Sequence, residues 1–395
     1  MSKVVVVGGG FAGVWAALAA SAQGRRHARQ LDITVVSRDP WLTIRPRLYE
    51  NDISGTRVPL DDVLGPAGVE RVESEVRRLN WRAHEIVLGD GTALRYDRLV
   101  LAPGSVVQRA AIPGAAHAFA VDTWREAMTL QDHLDALRPR PNDTSGRATA
   151  VVIGAGFTGI EVATSLASRM RRVGAAAGAR QFARVVLLER APAIAPDLGD
   201  DARRHVQEAL ATLRVEVRSG TEVAAIESDG VRLGSGEWIP SATVILTGGF
   251  RANPLMTHIT EERDPLGRVS VDAYLRVRDV EHVYAAGDVA RAAADAAGHI
   301  APMSCQCAIP MGEIAGANAA AELLGGKLAP FSHSAYVTCL DLGDAGALFM
   351  EGWDREVRLT GFWAKVMKET INTRLIYPPR PGYDSRPANV VRPAA

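Results

Sequence analysis

Val4–Val7 is an unbroken run of β-branched residues that ends at Gly8, Gly10 and Gly13 and passes into the alanine-rich run VWAALAASA. Such a run predicts a strand buried on both faces, then a glycine turn, then a helix. The pattern returns at Ala150–Ile153, Gly154, Gly156 and Gly159. Further apolar runs read as strands: LDITVV, YDRLVLAPGS, RVVLLER, SATVILTGGF and VYAAGDVA. The segment RPRPNDTSGR is a charged, proline-containing loop leading into the second glycine turn. From about Pro330 the chain changes character, with strands in HSAYVTCLDL, AGALFM and REVRLTG. Trp363, Met367, Ile371 and Leu375 then recur at i, i+4, with Phe362 and Val366 alongside. Lys365, Lys368 and Arg374 face elsewhere, which predicts a basic amphipathic helix. The proline-rich residues 378–395 are expected to be disordered.

The two strand–glycine–helix units carry the chemistry. In each, the first glycine permits a tight turn, the second lets backbone approach a pyrophosphate, and the third lets helix pack on strand. The phosphates then meet unpaired N–H groups at the helix start, near Phe11 and Ala12 in one unit and Phe157 and Thr158 in the other. One such fingerprint is weak, because glycine turns are common; two in the same context imply two dinucleotides.

The end of each unit's second strand distinguishes them. Glu189 closes RVVLLER and suits an adenosine ribose diol, while repelling a 2′-phosphate, so NADH is favoured over NADPH. Arg190 weakens that preference, and SRMRRVGAAAGARQF sets Glu189 further from its glycines than the usual ~20 residues. In the first unit Ser37 stands where an acid is expected, a weaker neutral partner, with Arg38 beside it and Asp39 a substitute two residues on. Ala102, Pro103, Gly104 and Gly248 end strands that return the chain at two crossovers. Asp288, just after Gly287 and a buried strand, is placed to bond ribityl hydroxyls, which puts flavin in the first unit; an ordinary turn aspartate is the plainer alternative.

This succession of fingerprint, ATG-like strand, fingerprint, ATG-like strand and Gly-Asp resembles the flavoproteins of the pyridine nucleotide-disulfide reductase class. Within that class it is most similar to type II NADH:quinone oxidoreductases and apoptosis-inducing-factor-like reductases. WLTIRPRLYE (41–50), FTGIE (157–161) and FRANPL (250–255) carry the closer likeness, which spans about residues 3–325. The resemblance implies an α/β fold of two Rossmann-like dinucleotide-binding domains, glutathione-reductase-like, with a C-terminal α+β region. It implies FAD and NAD(H) as cofactors. By resemblance Glu161 orients the nicotinamide or assists proton movement to the acceptor, and burial would raise its pKa; an ordinary first-turn glutamate is the alternative. Gln306 matches the first glutamine of the family's Ala-Gln-x-Ala-x-Gln, but Pro310 replaces the second, a departure that falls on the quinone pocket. The helix starting near Gln306 and Cys307 would aim N–H groups at the flavin carbonyl. Arg45, beside Pro46, and Arg47 read equally as flavin or phosphate contacts and as solvated surface arginines.

The redox Cys-x-x-x-x-Cys or Cys-x-x-Cys of disulfide reductases is missing. Cys305 and Cys307 sit too close for an unstrained disulfide and read as small apolar packing. With Cys339 they are the chain's three cysteines, a sparse set that points to a reducing compartment. At 395 residues the chain is long enough for more than one domain. Lys plus Arg and Asp plus Glu are 45 each, so charge gives no reason to expect nucleic acid as a partner. The nine histidines show no ligand spacing, so no metal site is expected. The apolar start from Val4 to Ala22 is glycine-punctuated and reads as strand, turn and helix, not as a leader or membrane span.

The expected layout is discontinuous. Residues 1–112 and 248–328 form an FAD domain, 113–247 an NAD domain, and 329–377 a C-terminal region with the amphipathic helix. The expected protein is a cytoplasmic, non-proton-pumping NADH dehydrogenase that passes two electrons to a quinone or other small acceptor. Its C-terminal helix is either a peripheral contact with the inner face of the cell membrane or a face packed on its own body or a homodimer partner. Two alternatives remain: a reductase of a ferredoxin-like protein or soluble small molecule, and a redox-responsive NADH/FAD-binding protein with little turnover.

Overall fold

The computed structural model describes residues 1–108, 112–137, 146–176 and 183–379. Most of the loop RPRPNDTSGR, the end of the lengthened crossover, and the tail from residue 380 lie outside the described residues. Two parallel sheets organise the chain. The first has five strands in the order Val283–Ala285, Arg98–Leu101, Lys3–Val7, Asp32–Ser37 and Glu70–Glu73. The second has four, Val215–Arg218, Arg184–Leu188, Thr149–Ile153 and Thr243–Leu246. Val4–Val7 and Ala150–Ile153 are buried, as strands covered on both faces must be. Each unit also carries a three-stranded antiparallel meander that the apolar pattern did not announce. Val76–Asn80, Glu85–Leu88 and Ala93–Arg95 pack on the first core, and Val223–Glu227, Gly230–Leu233 and Trp238–Pro240 on the second sheet.

One face of the first sheet is closed by two helices, Phe11–Arg26 and Cys305–Leu324, that meet along a stripe of small residues. A Cβ added at Gly312 would lie 2.2 Å from the Ala12 carbonyl oxygen, and one at Gly316 would lie 1.9 Å from that of Ala16. Only glycine permits this approach, and it holds the start of the second helix beside the first fingerprint. Between the units the chain crosses twice, and the two crossing strands, Ser105–Val107 and Phe250–Ala252, pair antiparallel with each other.

The C-terminal strands Val337–Asp341, Ala347–Glu351 and Glu356–Thr360 form an antiparallel sheet whose Leu340, Leu342, Leu348 and Met350 join the core of the second unit. The helix Gly361–Thr370 and a wide π-type turn, Ile371–Leu375, follow. This helix is amphipathic, and of its apolar stripe Ile371 packs against the first core while the rest turns outward. Phe362 and Trp363 are 70% and 69% exposed, and Val366, Met367 and Leu375 are exposed beside them. The inward stripe is Ala364, Lys368 and Asn372, so Lys368 faces away from the aromatic side, as expected, and that direction is inward. Lys368 is turned in because two buried carboxylates wait beneath it.

Candidate active site

The two glycine turns show the same division of labour. Gly8 and Gly154 have φ of 113° and 101°, a region that favours glycine. A Cβ at Gly8 would strike the Ala102 carbonyl oxygen at 2.2 Å, and one at Gly154 the Thr247 carbonyl oxygen at 2.6 Å. Gly13 and Gly159 are as tight, each placing a Cβ 1.8 Å from the carbonyl oxygen of the first glycine of its own turn. Gly10 and Gly156, the middle members, face open space. Thus the outer glycines are demanded by the protein, while the middle one leaves its backbone open to a ligand. The helix behind Gly10 has no side-chain cap, so the N–H groups of its first turn, from Phe11 and Ala12, stay available to an anion. Phe157 and Thr158 begin the second helix in the same place, and the Phe157 ring carries the Arg355 guanidinium 5.2 Å from its centroid. Both cradles fit a dinucleotide pyrophosphate.

The strand-end residues differ. Glu189 reaches back to its own glycine turn, accepting from the N–H of Ala155 at 2.7 Å and of Ala191 at 2.8 Å. That fixes its carboxylate beside the cradle with lone pairs to spare for a diol. Ser37 is buried and donates to the Asp39 carbonyl at 2.8 Å, so its hydroxyl proton is already used; Arg38 beside it is exposed. Ala102 and Pro103 close over Gly8, Gly104 follows at a φ of 72° in open space, and Gly248 lies against the Gln108 carbonyl. Gly287 is pressed between Ala12 and Ala308, which sets Asp288 at the mouth of the first cradle. Asp288 accepts from Ser105 Oγ at 2.6 Å. Arg45, followed by Pro46 in a short 3-10 turn, donates to Ser105 Oγ at 3.2 Å, lies 3.8 Å from Asp288 and pairs with Asp122. Arg47 pairs with Glu50 and donates to Tyr377 Oη, tying the chain's C-terminal region to the first unit.

Glu161 is buried under the C-terminal helix. Its Oε1 accepts from Lys368 Nζ at 2.8 Å and from the Asp341 N–H at 3.1 Å; Lys368 also donates to the Cys339 carbonyl at 2.9 Å. Beside this pair, Asp341 accepts from both Lys365 Nζ, at 2.6 Å to each oxygen, and Tyr49 Oη at 3.0 Å. Burial pushes the Glu161 carboxyl above its ordinary 4.5, against the pull of Lys368. Burial alone would lower Lys368, but the Glu161 carboxylate overcomes it and holds the ammonium above its ordinary value. The geometry is that of a buried ion pair. Burial, with the Glu161 charge behind it, also raises the Tyr49 phenol.

Gln306 is the second residue of the long helix, and Ser304 caps it. With its amide oriented to satisfy both groups, Gln306 donates to the Val337 carbonyl at 2.8 Å and accepts from the Val337 N–H at 3.2 Å, joining this helix to the C-terminal sheet. Pro310 lies in the second turn without breaking the helix; its missing N–H leaves the Gln306 carbonyl without that partner. Burial raises the thiols of Cys305 to about 11, Cys307 to about 12 and Cys339 to about 11. Sequence reasoning missed Tyr49, Asp341 and the inward lysines. Their one signal was the placing of Asp341, alone among apolar residues, at the end of a strand.

The chain belongs to the pyridine nucleotide-disulphide oxidoreductase family, whose model matches residues 2–312. It is 46% identical over 386 residues to an NADH dehydrogenase-like protein of Mycobacterium tuberculosis, covering 97% of this chain and 96% of that one. It is 26% identical over 392 residues to a type II NADH:quinone oxidoreductase of Staphylococcus haemolyticus, with 95% of each covered. The solved structure of NDH2 from Plasmodium falciparum in complex with NADH matches with a TM-score of 0.80 at 14% identity, covering 95% of each chain. Proteins of this family bind FAD and NADH, as the paired fingerprints imply here.

Proposed function

From that family membership we propose that the protein is an FAD-dependent NADH dehydrogenase that passes two electrons to a quinone-type acceptor without pumping protons. The duplicated cradle carries the reading: two turns whose middle glycines alone face open space, one beside Asp288 and one beside Glu189. FAD supplies the two-electron carrying when bound, and the protein supplies binding and orientation. The first cradle would hold FAD, with Gly8, Gly10, Gly13, Phe11 and Ala12 around its phosphates, Asp288 on the ribityl chain, and Cys305–Cys307 at the helix start facing the ring system. The second would hold NADH, with Gly154, Gly156, Gly159, Phe157 and Thr158 on the phosphates and Glu189 on the adenosine ribose. Glu161 would hold a proton at Oε2 for the acceptor, with Lys368 and the Asp341 N–H fixing Oε1.

The named relatives support a quinone-type acceptor, and so does the C-terminal helix, whose Phe362, Trp363, Val366 and Met367 lie exposed next to the Glu161 network. A lipid-borne acceptor would approach there. No helix among the described residues is long and apolar enough to cross a membrane, so any such contact is peripheral. Anaerobic stopped-flow absorbance tests the proposal: flavin reduced by NADH is mixed with a short-chain quinone, with and without anionic liposomes. Fast reduction by NADH and fast quinone-driven reoxidation support it. Reduced flavin that persists in quinone would remove the quinone and leave another acceptor.

A further inference from the structure

A short hairpin, Trp41–Thr43 paired with Arg57–Pro59, leaves the flavin-side unit. It grips the first residues of the nicotinamide-side unit at two points. At one, Arg45 pairs with Asp122, which also accepts from the Val107 N–H on the outgoing crossing strand at 3.3 Å. The same guanidinium lies 4.9 Å from the ring centroid of Phe250 on the returning crossing strand. At the other, the Arg57 guanidinium sits between two indoles, 4.6 Å from the Trp41 centroid and 3.5 Å from that of Trp124. Beneath the hairpin Leu48 and Ile53 pack on Ala127, Trp124 and Met128, and Gln131 donates to the Glu50 carbonyl at 2.9 Å.

We propose that this hairpin is an interdomain clasp, and that Asp122 and Arg45 are the positioning pair that holds the nicotinamide unit at its working angle to the flavin. The inference rests on the NADH dehydrogenase reading for its kinetic consequence but not for its structural one. Two crossing strands of three residues each are a narrow connection. Left alone, they would let one unit rock against the other, and hydride transfer between two stacked rings loses rate steeply with ångström-scale displacement. Arg45 prevents rocking by bonding both sides of the crossing at once. It also reaches Ser105 and Asp288, so the residue assigned to the ribityl chain and the residue that sets the domain angle share one guanidinium.

The test uses Asp122→Asn and, at the second grip, Arg57→Gln, each as flavin-loaded protein. Hydrogen–deuterium exchange is followed at Val107 and at residues 250–252, and flavin reduction by NADH by anaerobic stopped flow. The clasp predicts exchange at the crossing strands faster by tenfold or more, with the distant strand Arg184–Leu188 unchanged. It also predicts that the limiting reduction rate falls tenfold or more while the dissociation constant for NADH moves less than threefold. Arg45→Lys should recover part of the rate that Arg45→Ala loses. Unchanged exchange in both variants overturns the clasp, and faster exchange with a wild-type reduction rate overturns its positioning role. If the wild-type flavin is not reduced by NADH, the dehydrogenase reading fails, and the exchange result still decides whether the clasp exists.

Discussion

Lys368→Met removes one charge from a site where two charges balance. Methionine has nearly the length of the lysine stem, so the packing between Ala364 and Asn372 is kept and the change is electrostatic. It leaves the Glu161 carboxylate, 8% exposed, without its 2.8 Å partner, and the Cys339 carbonyl without a donor. Stranding one member of a buried pair costs about 3–5 kcal/mol. With an unfolding entropy of ~2.1 cal/mol/K per residue, this chain would unfold with about 0.8 kcal/mol/K in all, so that cost lowers Tm by about 4–6 °C. The sign of the pH dependence follows from Glu161, whose folded pKa is already raised above 4.5 and rises further without Lys368. A group raised on folding is favourable below its unfolded pKa and loses that contribution as pH rises through the folded one. The deficit of the variant should therefore be larger at pH 8 than at pH 6. The companion Glu161→Gln/Lys368→Met keeps an acceptor for the Asp341 N–H and strands no charge, so it should recover most of the loss. Thermal unfolding of the flavin-loaded proteins at both pH values is the assay. A single variant within 1 °C of wild type, or a double variant no better than the single, would refute the buried ion pair.

Gly316→Ala puts a Cβ 1.9 Å from the Ala16 carbonyl oxygen, forcing the two helices apart at a cost of about 1–3 kcal/mol or more. It should lower Tm and flavin occupancy, whereas Gly55→Ala, with nothing within 4 Å, should do neither. Thiols raised to about 11 from an ordinary 9.0 carry about 100-fold less thiolate at pH 8. Cys305 and Cys339 should therefore react with iodoacetamide on the order of 100-fold slower in the folded protein than in the urea-unfolded chain, as read by mass spectrometry. Replacing both Phe362 and Trp363 by Ser should leave Tm unchanged and abolish cosedimentation with anionic liposomes; binding that persists would assign the contact elsewhere.

Much of the fold was legible because its signals are local. A β-branched run such as Val4–Val7 suits a doubly covered strand, and a glycine at φ 113° against the Ala102 carbonyl has no substitute. The cradles were visible for the same reason. The meanders were not, since VRRLN and EIVL alternate weakly and gain their burial from the sheet they lie on. Arg45 and Arg47 show the limit of reading single residues. Two positions apart, one faces the crossing and Asp288 while the other clamps Glu50 and Tyr377, a partner 330 residues away. No pattern within WLTIRPRLYE could separate them.

The C-terminal helix shows why the Glu161 network escaped the sequence. Periodicity fixes the axis that divides an amphipathic helix but not which side turns in, because the inward side is chosen by what the body presents. Here the body presents Glu161 and Asp341, whose burial without counter-charges would cost several kcal/mol each. Lys368 and Lys365, at i and i−3, meet them and carry the polar side of the helix inward. The aromatic side is then forced outward, where it lies open to water. Exposing that face opposes folding of the isolated chain, so the orientation holds because the two ion pairs outweigh it. Burial of the same face in an apolar phase would add to the ion pairs. On the proposed function, the helix that closes the carboxylate site also marks the side from which an apolar acceptor would come.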